Sequence, residues 1–331
     1  MENKRNIKVV ILAAGNSTRM KSSKSKILHK ILGREIINFT IDAVINAGIN
    51  IEDIIIVAGE NKNELEKILD KKISYVIQKQ KLGTAHALLT SYELLKDKVC
   101  DTLVLVGDNP YITTKEINNL INFHREKKAD ATLITAVFPK QPPPYGRIIR
   151  DENDAITAII EELDATPVQK EIREVNASIY LFKNEIVLEL LKKINNNNKK
   201  QEYYLTDIIG ILKKNNKSVQ GVIAVNYRVS IGINDRWELQ KASNYFNLKL
   251  MKDLSINSGV TFLSPNTTTV EVDVKIGKDS VIYPSTYISR GSVIGENCKI
   301  GPFVYLTKNT IIPKNSKVKY KTVKKNGNNN K

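Results

Sequence analysis

From Val270 to Val318 an aliphatic residue recurs at every sixth position: Val270, Ile276, Ile282, Ile288, Ile294, Ile300, Leu306, Ile312 and Val318. That period matches neither the 3.6 of an α-helix nor the 2 of an isolated strand. A parallel solenoid satisfies it, with each hexapeptide forming a short strand and a turn and sending its aliphatic side chain to a shared interior. Gly277, Gly295 and Gly301 directly follow periodic positions, where tight turns recur.

The first two thirds of the chain read differently. Val- and Ile-rich runs at Lys8–Ala13, Asp53–Val57, Ser74–Ile77, Thr102–Val106 and Ala131–Phe138 look like strands buried on both faces. Helical patterns lie between them: Ile36–Ala47, stopped by Gly48, then Asn63–Leu69 and Thr84–Leu95. Thr113-Thr-Lys-Glu116 fits a capping box that opens a helix to about Arg125. This alternation predicts an α/β fold around a Rossmann-like, mixed but mainly parallel sheet. Arg147–Arg150, Ala155–Glu161, Val175–Phe182 and Val219–Val225 are strand-rich and extend or cap it. A length of 331 residues exceeds one ordinary core. The expected division is an α/β domain over 1–236, a linker helix over 237–255, the solenoid over 256–320 and a basic, disordered tail over 321–331.

Charge and composition exclude some functions. The net charge of +16 is concentrated at the end of the chain: after Glu296 there are nine lysines and no acidic residue. No aromatic interleaving or nucleic-acid motif accompanies them, so a solvated terminus is expected, with no nucleic-acid or membrane partner. No apolar run approaches the roughly 18 residues of a membrane span. Ile7–Ala14 follows basic residues as a signal peptide would, but it is short and is read as the first buried strand, giving a cytoplasmic expectation. Cys100 and Cys298 lie in different regions, so no disulfide is expected.

Leu12-Ala-Ala-Gly-Asn-Ser-Thr-Arg-Met20 follows that first strand. Small residues there let consecutive backbone N–H groups approach phosphate oxygens, and Arg19 adds a cationic fork. On those residues alone, an ordinary turn with a solvated arginine stays the leading reading. The loop resembles the signature of sugar nucleotidyltransferases, usually Leu-Ala-Ala-Gly-x-Gly-Thr-Arg-Met. Further segments follow in the order found in bacterial N-acetylglucosamine-1-phosphate uridylyltransferases of the bifunctional GlmU-like family. They are Gln78 with Leu82-Gly-Thr-Ala-His-Ala87, Val106-Gly-Asp-Asn-Pro110, Tyr145-Gly-Arg147, Glu174-Val-Asn176, Glu202-Tyr-Tyr-Leu-Thr-Asp207 and Gly232-Ile-Asn-Asp-Arg236.

The resemblance implies that a sugar-1-phosphate attacks the α-phosphorus of UTP, with Mg²⁺ as cofactor, releasing pyrophosphate. It assigns Leu12, Ala13, Ala14, Gly15, Gln78, Gly83 and Thr84 to the nucleotide, and Arg19 and Lys26 to phosphate charge and catalysis. It assigns Asp108 and Asn234 to the metal, and Gly146, Glu161 and Asn176 to the amino sugar. It also implies a left-handed β-helix of about three coils that trimerises side by side. Plain structural alternatives stay open: Asp108 as a turn residue, Asn234 as a helix N-cap, Glu161 as an ion-pair partner, Lys26 as part of a solvated lysine run. His86 is given no catalytic role.

The pattern departs from the family at four places: Ser17 for a glycine, Ser25 for a proline, Val106 for a tyrosine, and Asn176-Ala-Ser178 for Asn-Thr-Gly. The last two leave the sugar open, and another sugar-1-phosphate or dTTP remains a reading. A sugar-nucleotide sensor that uses the solenoid for assembly is the non-catalytic one. The family's later coils carry an acetyltransferase; no segment here resembles its histidine motif, and that activity is expected to be absent.

Overall fold

The computed structural model describes residues 5–15, 17–320 and 322–323, so the expected tail lies outside the described residues apart from the backbone of Thr322–Val323. The chain divides into two units. One contains the chain up to Leu28 together with Ile36–Ile233; the other contains His29–Glu35 and the chain from Asn234 onward.

The first unit is built on β1 (Asn6–Leu12), α1 (Ile36–Asn46), β2 (Ile54–Ala58), α2 (Lys62–Ile68), β3 (Ser74–Ile77), α3 (Thr84–Leu89) and β4 (Cys100–Val106). There follow α4 (Thr114–Glu126), β5 (Ala131–Val137), β6 (Arg147–Arg150), β7 (Ile156–Ile160), β8 (Glu174–Lys183), α5 (Asn184–Leu191), α6 (Asp207–Lys214) and β9 (Val219–Ile223). These strands form one sheet in the order β9-β5-β8-β4-β1-β2-β3, with β6 pairing β8 and β7. β1 runs parallel to β2 and to β4, while β8 is antiparallel to both β4 and β5. The sheet is therefore mixed and mainly parallel. Its strands are apolar on both faces because both are covered: Val9, Ile11 and Ala13 join one core, Val10 and Ala14 the other.

The helix expected over Thr84–Leu95 is interrupted, giving α3 and a short turn of helix at Tyr92–Leu95. The hydroxyls of Thr90 and Ser91 donate to the carbonyls of Ala87 and Leu88, both at 2.6 Å, and so compete with the helical ladder. The capping box at Thr113–Glu116 is present: Glu116 N–H donates to Thr113 Oγ1 and Thr113 N–H to Glu116 Oε2. Helices α5 and α6 lie in a region that reads as strand-rich.

The second unit opens with α7 (Arg236–Ser258), longer at both ends than the expected 237–255. Asp235 caps its start by accepting from Glu238 N–H at 2.8 Å, and Gly259, at φ 66°, ends it in the left-handed conformation that glycine adopts without strain. Two-residue strands follow at each hexapeptide and pair in parallel with the strand 18 residues on, as in Ile276–Ile294–Ile312 and Ile282–Ile300–Val318. Three hexapeptides thus complete one coil, and all nine periodic aliphatics are buried. Pairing continues past the expected end at 320, to Thr322–Val323 against Tyr305–Leu306. His29–Glu35 forms a hairpin whose Leu32 carbonyl accepts from Val272 N–H at 3.1 Å, which explains why this segment leaves the first unit. Cys100 and Cys298 are buried free thiols.

Candidate active site

A cavity of about 450 Å³ opens at the C-terminal ends of β1, β3 and β4. Since β1 connects onward to β2 on one side and pairs β4 on the other, this is the point where strand order reverses and a crevice forms. Leu12, Ala13, Ala14, Gly15, Arg19, Lys26, Gln78, Gly83, Thr84 and Asp108 all line it. The loop base is pinned by Ala13 N–H to Val57 O at 2.8 Å and Gly107 N–H to Leu12 O at 2.9 Å. Lys26 Nζ pairs with Asp108 Oδ2, both side chains largely shielded from solvent, so Lys26 is not simply part of a solvated lysine face. Asp108 is held in turn by Ile233 N–H, which donates to its carbonyl at 2.9 Å.

At the opposite end, the Gln78 side-chain amide is buried and its orientation is set by the chain. Its Nε2 donates to Gly83 O at 3.1 Å and meets His86 Nδ1 at 3.0 Å. His86 thus orients Gln78 and lies behind the cavity. Thr84 Oγ1 accepts from Leu205 N–H at 2.9 Å, tying this wall to the segment Tyr203–Leu205.

Gly146, Glu161 and Asn176 do not line this cavity; they converge on one another. Asn176 N–H donates to Gly146 O at 2.9 Å, and a Cβ on Gly146 would sit 3.4 Å from Glu161 Oε1. Asn176 is buried, its Nδ2 donating to Tyr180 Oη at 2.6 Å and its Oδ1 accepting from Ser178 N–H at 3.0 Å. Burial pushes the Glu161 carboxyl above its ordinary range, opposed by a 3.0 Å hydrogen bond from the Thr206 hydroxyl. Among the described residues, burial acts on Glu161 more strongly than the attraction of any cation, the largest such influence being Lys200.

The sequence model described as "Nucleotidyl transferase" matches residues 8–237. The chain belongs to the nucleotidyl transferase family. The model "Bacterial transferase hexapeptide (six repeats)" matches residues 273–308 of this nucleotidyl transferase. The bifunctional protein GlmU of Acetivibrio thermocellus is 40% identical over 279 residues, covering 84% of this chain and 60% of that protein. That of Lactobacillus helveticus is 38% identical over 286 residues, covering 86% and 61%. The chain therefore spans about 60% of the length of the curated relatives it matches. A solved UDP-glucose pyrophosphorylase complexed with UDP-glucose shares the fold, with a TM-score of 0.61 at 19% identity over 74% of this chain and 99% of that one.

The cavity of the nucleotidyl transferase also has walls that carry no assigned role: Thr18 and Glu202, which lie inside family motifs, and Lys81 and Lys200, which lie outside them. Lys81 and Lys200 belong to lysine-rich stretches whose simplest reading is a solvated face, and only the fold brings them to the cavity. Asn234 follows Ile233 directly in the chain, and the helix N-cap is Asp235 rather than Asn234. Among the described residues, no three His, Cys, Asp or Glu side chains cluster as a metal-binding group. Nor is any helix among them long and apolar enough to cross a membrane.

Close to Glu161, Asp207 at the start of α6 has its carboxyl pushed up to about 6, first by burial and then by the negative charges of Glu161 and Asp164. An acid whose pKa is higher in the folded chain holds a proton there that the unfolded chain has already released. Stability attributable to Asp207 therefore falls as pH rises from the unfolded value near 3.8 through 6. Asp207→Asn is expected to raise the melting temperature above pH 6.5 and to converge with the unsubstituted protein below about pH 4. Melting curves across pH 4–8 check this; a gain of equal size at every pH would show that the charge is not responsible.

Proposed function

We propose that this protein forms UDP-N-acetylglucosamine and pyrophosphate from UTP and N-acetylglucosamine-1-phosphate. The observation that carries the reading is one cavity whose walls combine a small-residue loop at a strand end, four cations, two carboxylates and an oriented amide. A phosphate oxygen of the sugar phosphate bonds to the α-phosphorus while the α–β bridging bond breaks, so the pair of electrons leaves on pyrophosphate. The attacking oxygen is already ionised, and the protein's task is alignment and charge neutralisation. Gln78, Gly83 and Thr84 would seat the base, Leu12–Gly15 would hold the phosphates through backbone N–H groups, and Arg19 and Lys26 would neutralise charge as it moves to the leaving group. Gly146, Glu161 and Asn176 would receive the sugar.

Asp108 offers the hard oxygen that Mg²⁺ prefers and would be the first unit's share of a site completed by phosphates and water. The sparse donor set fits that ion. Bound Mg²⁺ would supply Lewis-acid charge stabilisation at the transferring phosphoryl group. The solenoid supports assembly as a homotrimer: it carries the outward-facing apolar side chains Val293 and Ile311, with Ile311 75% exposed. A sedimentation mass matching a single chain would overturn the trimer.

The reaction is tested by pyrophosphate release from UTP or dTTP with a panel of sugar-1-phosphates, in Mg²⁺ and then in EDTA. Turnover is expected with UTP and N-acetylglucosamine-1-phosphate and is expected to be lost in EDTA. Val106 on the cavity wall motivates the wider panel, and preference for another pair would replace the substrate assignment. Failure with every pair would favour the sensor.

A further inference from the structure

Lys26 is held at the cavity by a hydrogen-bonded brace made from residues far apart in sequence. Ser17 Oγ accepts the backbone N–H of Lys26 at 2.8 Å. Ser25, immediately before Lys26, accepts at Oγ from Asn61 Nδ2 at 3.2 Å. The same Asn61 amide nitrogen donates to Ala13 O at 3.1 Å, and Asn61 Oδ1 accepts from Gly59 N–H at 3.0 Å. Asn61 sits at the N-terminus of α2 but makes no side-chain capping bond there. One carboxamide thus ties together the turn after β2, the small-residue loop and the segment leading to Lys26, while Ser17 closes the other side. Immediately after Lys26, Ile27 and Leu28 are buried, and Leu28 N–H donates to Ser25 O at 3.0 Å, so the far side of Lys26 is anchored by packing.

A proline at position 25 would fix φ covalently, whereas serine leaves it free. Here the constraint comes from side-chain hydrogen bonds instead. We propose that Ser17, Ser25 and Asn61 are positioning residues that fix the backbone of Lys26 so that its ammonium meets the phosphates in transition-state geometry. This rests on the proposed nucleotidyl transfer at the same cavity. A lysine on a loosened backbone can still attract a polyphosphate but spends less time aligned, so the brace governs the chemical step more than nucleotide affinity.

Ser17→Ala is expected to lower kcat by about 10- to 100-fold with little change in KM for the nucleotide. Asn61→Asp keeps the shape and the bond from Gly59 but sets an anion against Ala13 O, and should cause a similar fall. Ser17→Thr, which keeps the hydroxyl, should restore the rate. In the background of Lys26→Ala, the Ser17→Ala substitution should cost nothing further, because the two act as one unit. Hydrogen exchange at the Lys26 amide gives a readout independent of turnover and should accelerate by about tenfold or more in Ser17→Ala, with the melting transition otherwise preserved. Unchanged exchange overturns the brace itself. Accelerated exchange with unchanged kcat overturns its positioning role. If Lys26→Ala turns over at the unsubstituted rate, the assignment of Lys26 to the phosphates fails, and the exchange result still decides whether the brace exists.

Discussion

Asp108→Asn is expected to lower pyrophosphate release by about 10²–10³-fold while the folded chain keeps its secondary structure. The substitution is isosteric and removes only the charge. Two effects act in the same direction. The Lys26 ammonium loses its carboxylate partner in a largely shielded position, so its placement relaxes. The hard anionic oxygen proposed for Mg²⁺ is replaced by an amide, a weaker ligand. The surroundings should tolerate the change: the Asp108 carbonyl remains bonded to Ile233 N–H, and the missing side chain of Gly232 keeps the carboxylate uncrowded where a Cβ would press to 3.1 Å. Titrating Mg²⁺ separates the effects. If metal binding is the larger part, the variant's rate should recover partly as Mg²⁺ is raised. A rate near that of the unsubstituted chain at ordinary Mg²⁺ would remove Asp108 from the reaction.

Where a pattern was local, the sequence carried it far. The hexapeptide register is set by one side chain every six residues, and each of those side chains is in the solenoid interior. The parallel strands were legible because both faces are covered, which forces unbroken Val and Ile runs such as Ile54–Ala58. Less was legible where the deciding partner is distant. Nothing near Asn61 signals that its amide reaches Ala13 and Ser25, 48 and 36 residues away. Lys81 and Lys200 read as solvated surface until the fold brings them to the cavity. The hairpin at His29–Glu35 is set by a contact with Val272, so no local signal could show which unit owns it. Thr90 and Ser91 are a different case: hydroxyls that bond back to the helix are a local signal, here masked by the apolar periodicity around them.

The same distinction governs Gly83, where substitution is expected to damage the nucleotide end of the cavity most severely. Its backbone lies at φ 116° and ψ 176°, a region that only glycine adopts readily. An added methyl would also fall 2.5 Å from Tyr203 O and 2.7 Å from Tyr203 N, contacts with backbone that no rotamer can relieve. Gly83→Ala therefore combines about 1–3 kcal/mol of backbone strain with a direct clash. The chain can answer only by separating Leu82–Ala85 from Tyr203. That breaks the bonds joining the two segments, Tyr203 N–H to Leu82 O at 2.7 Å and Ala85 N–H to Tyr203 O at 2.9 Å. Gln78 loses its reference point with them, since its Nε2 is held by Gly83 O. The expected result is a rise of about 100-fold in KM for the nucleotide, with a smaller fall in kcat because Arg19, Lys26 and Asp108 stand at the other end of the cavity. The contrast with Asp108→Asn is the informative part, since that variant should act mainly on kcat. Equal losses in kcat and KM from Gly83→Ala would show that the two ends of the cavity are not separable, and the assignment of Gln78, Gly83 and Thr84 to the base would fall.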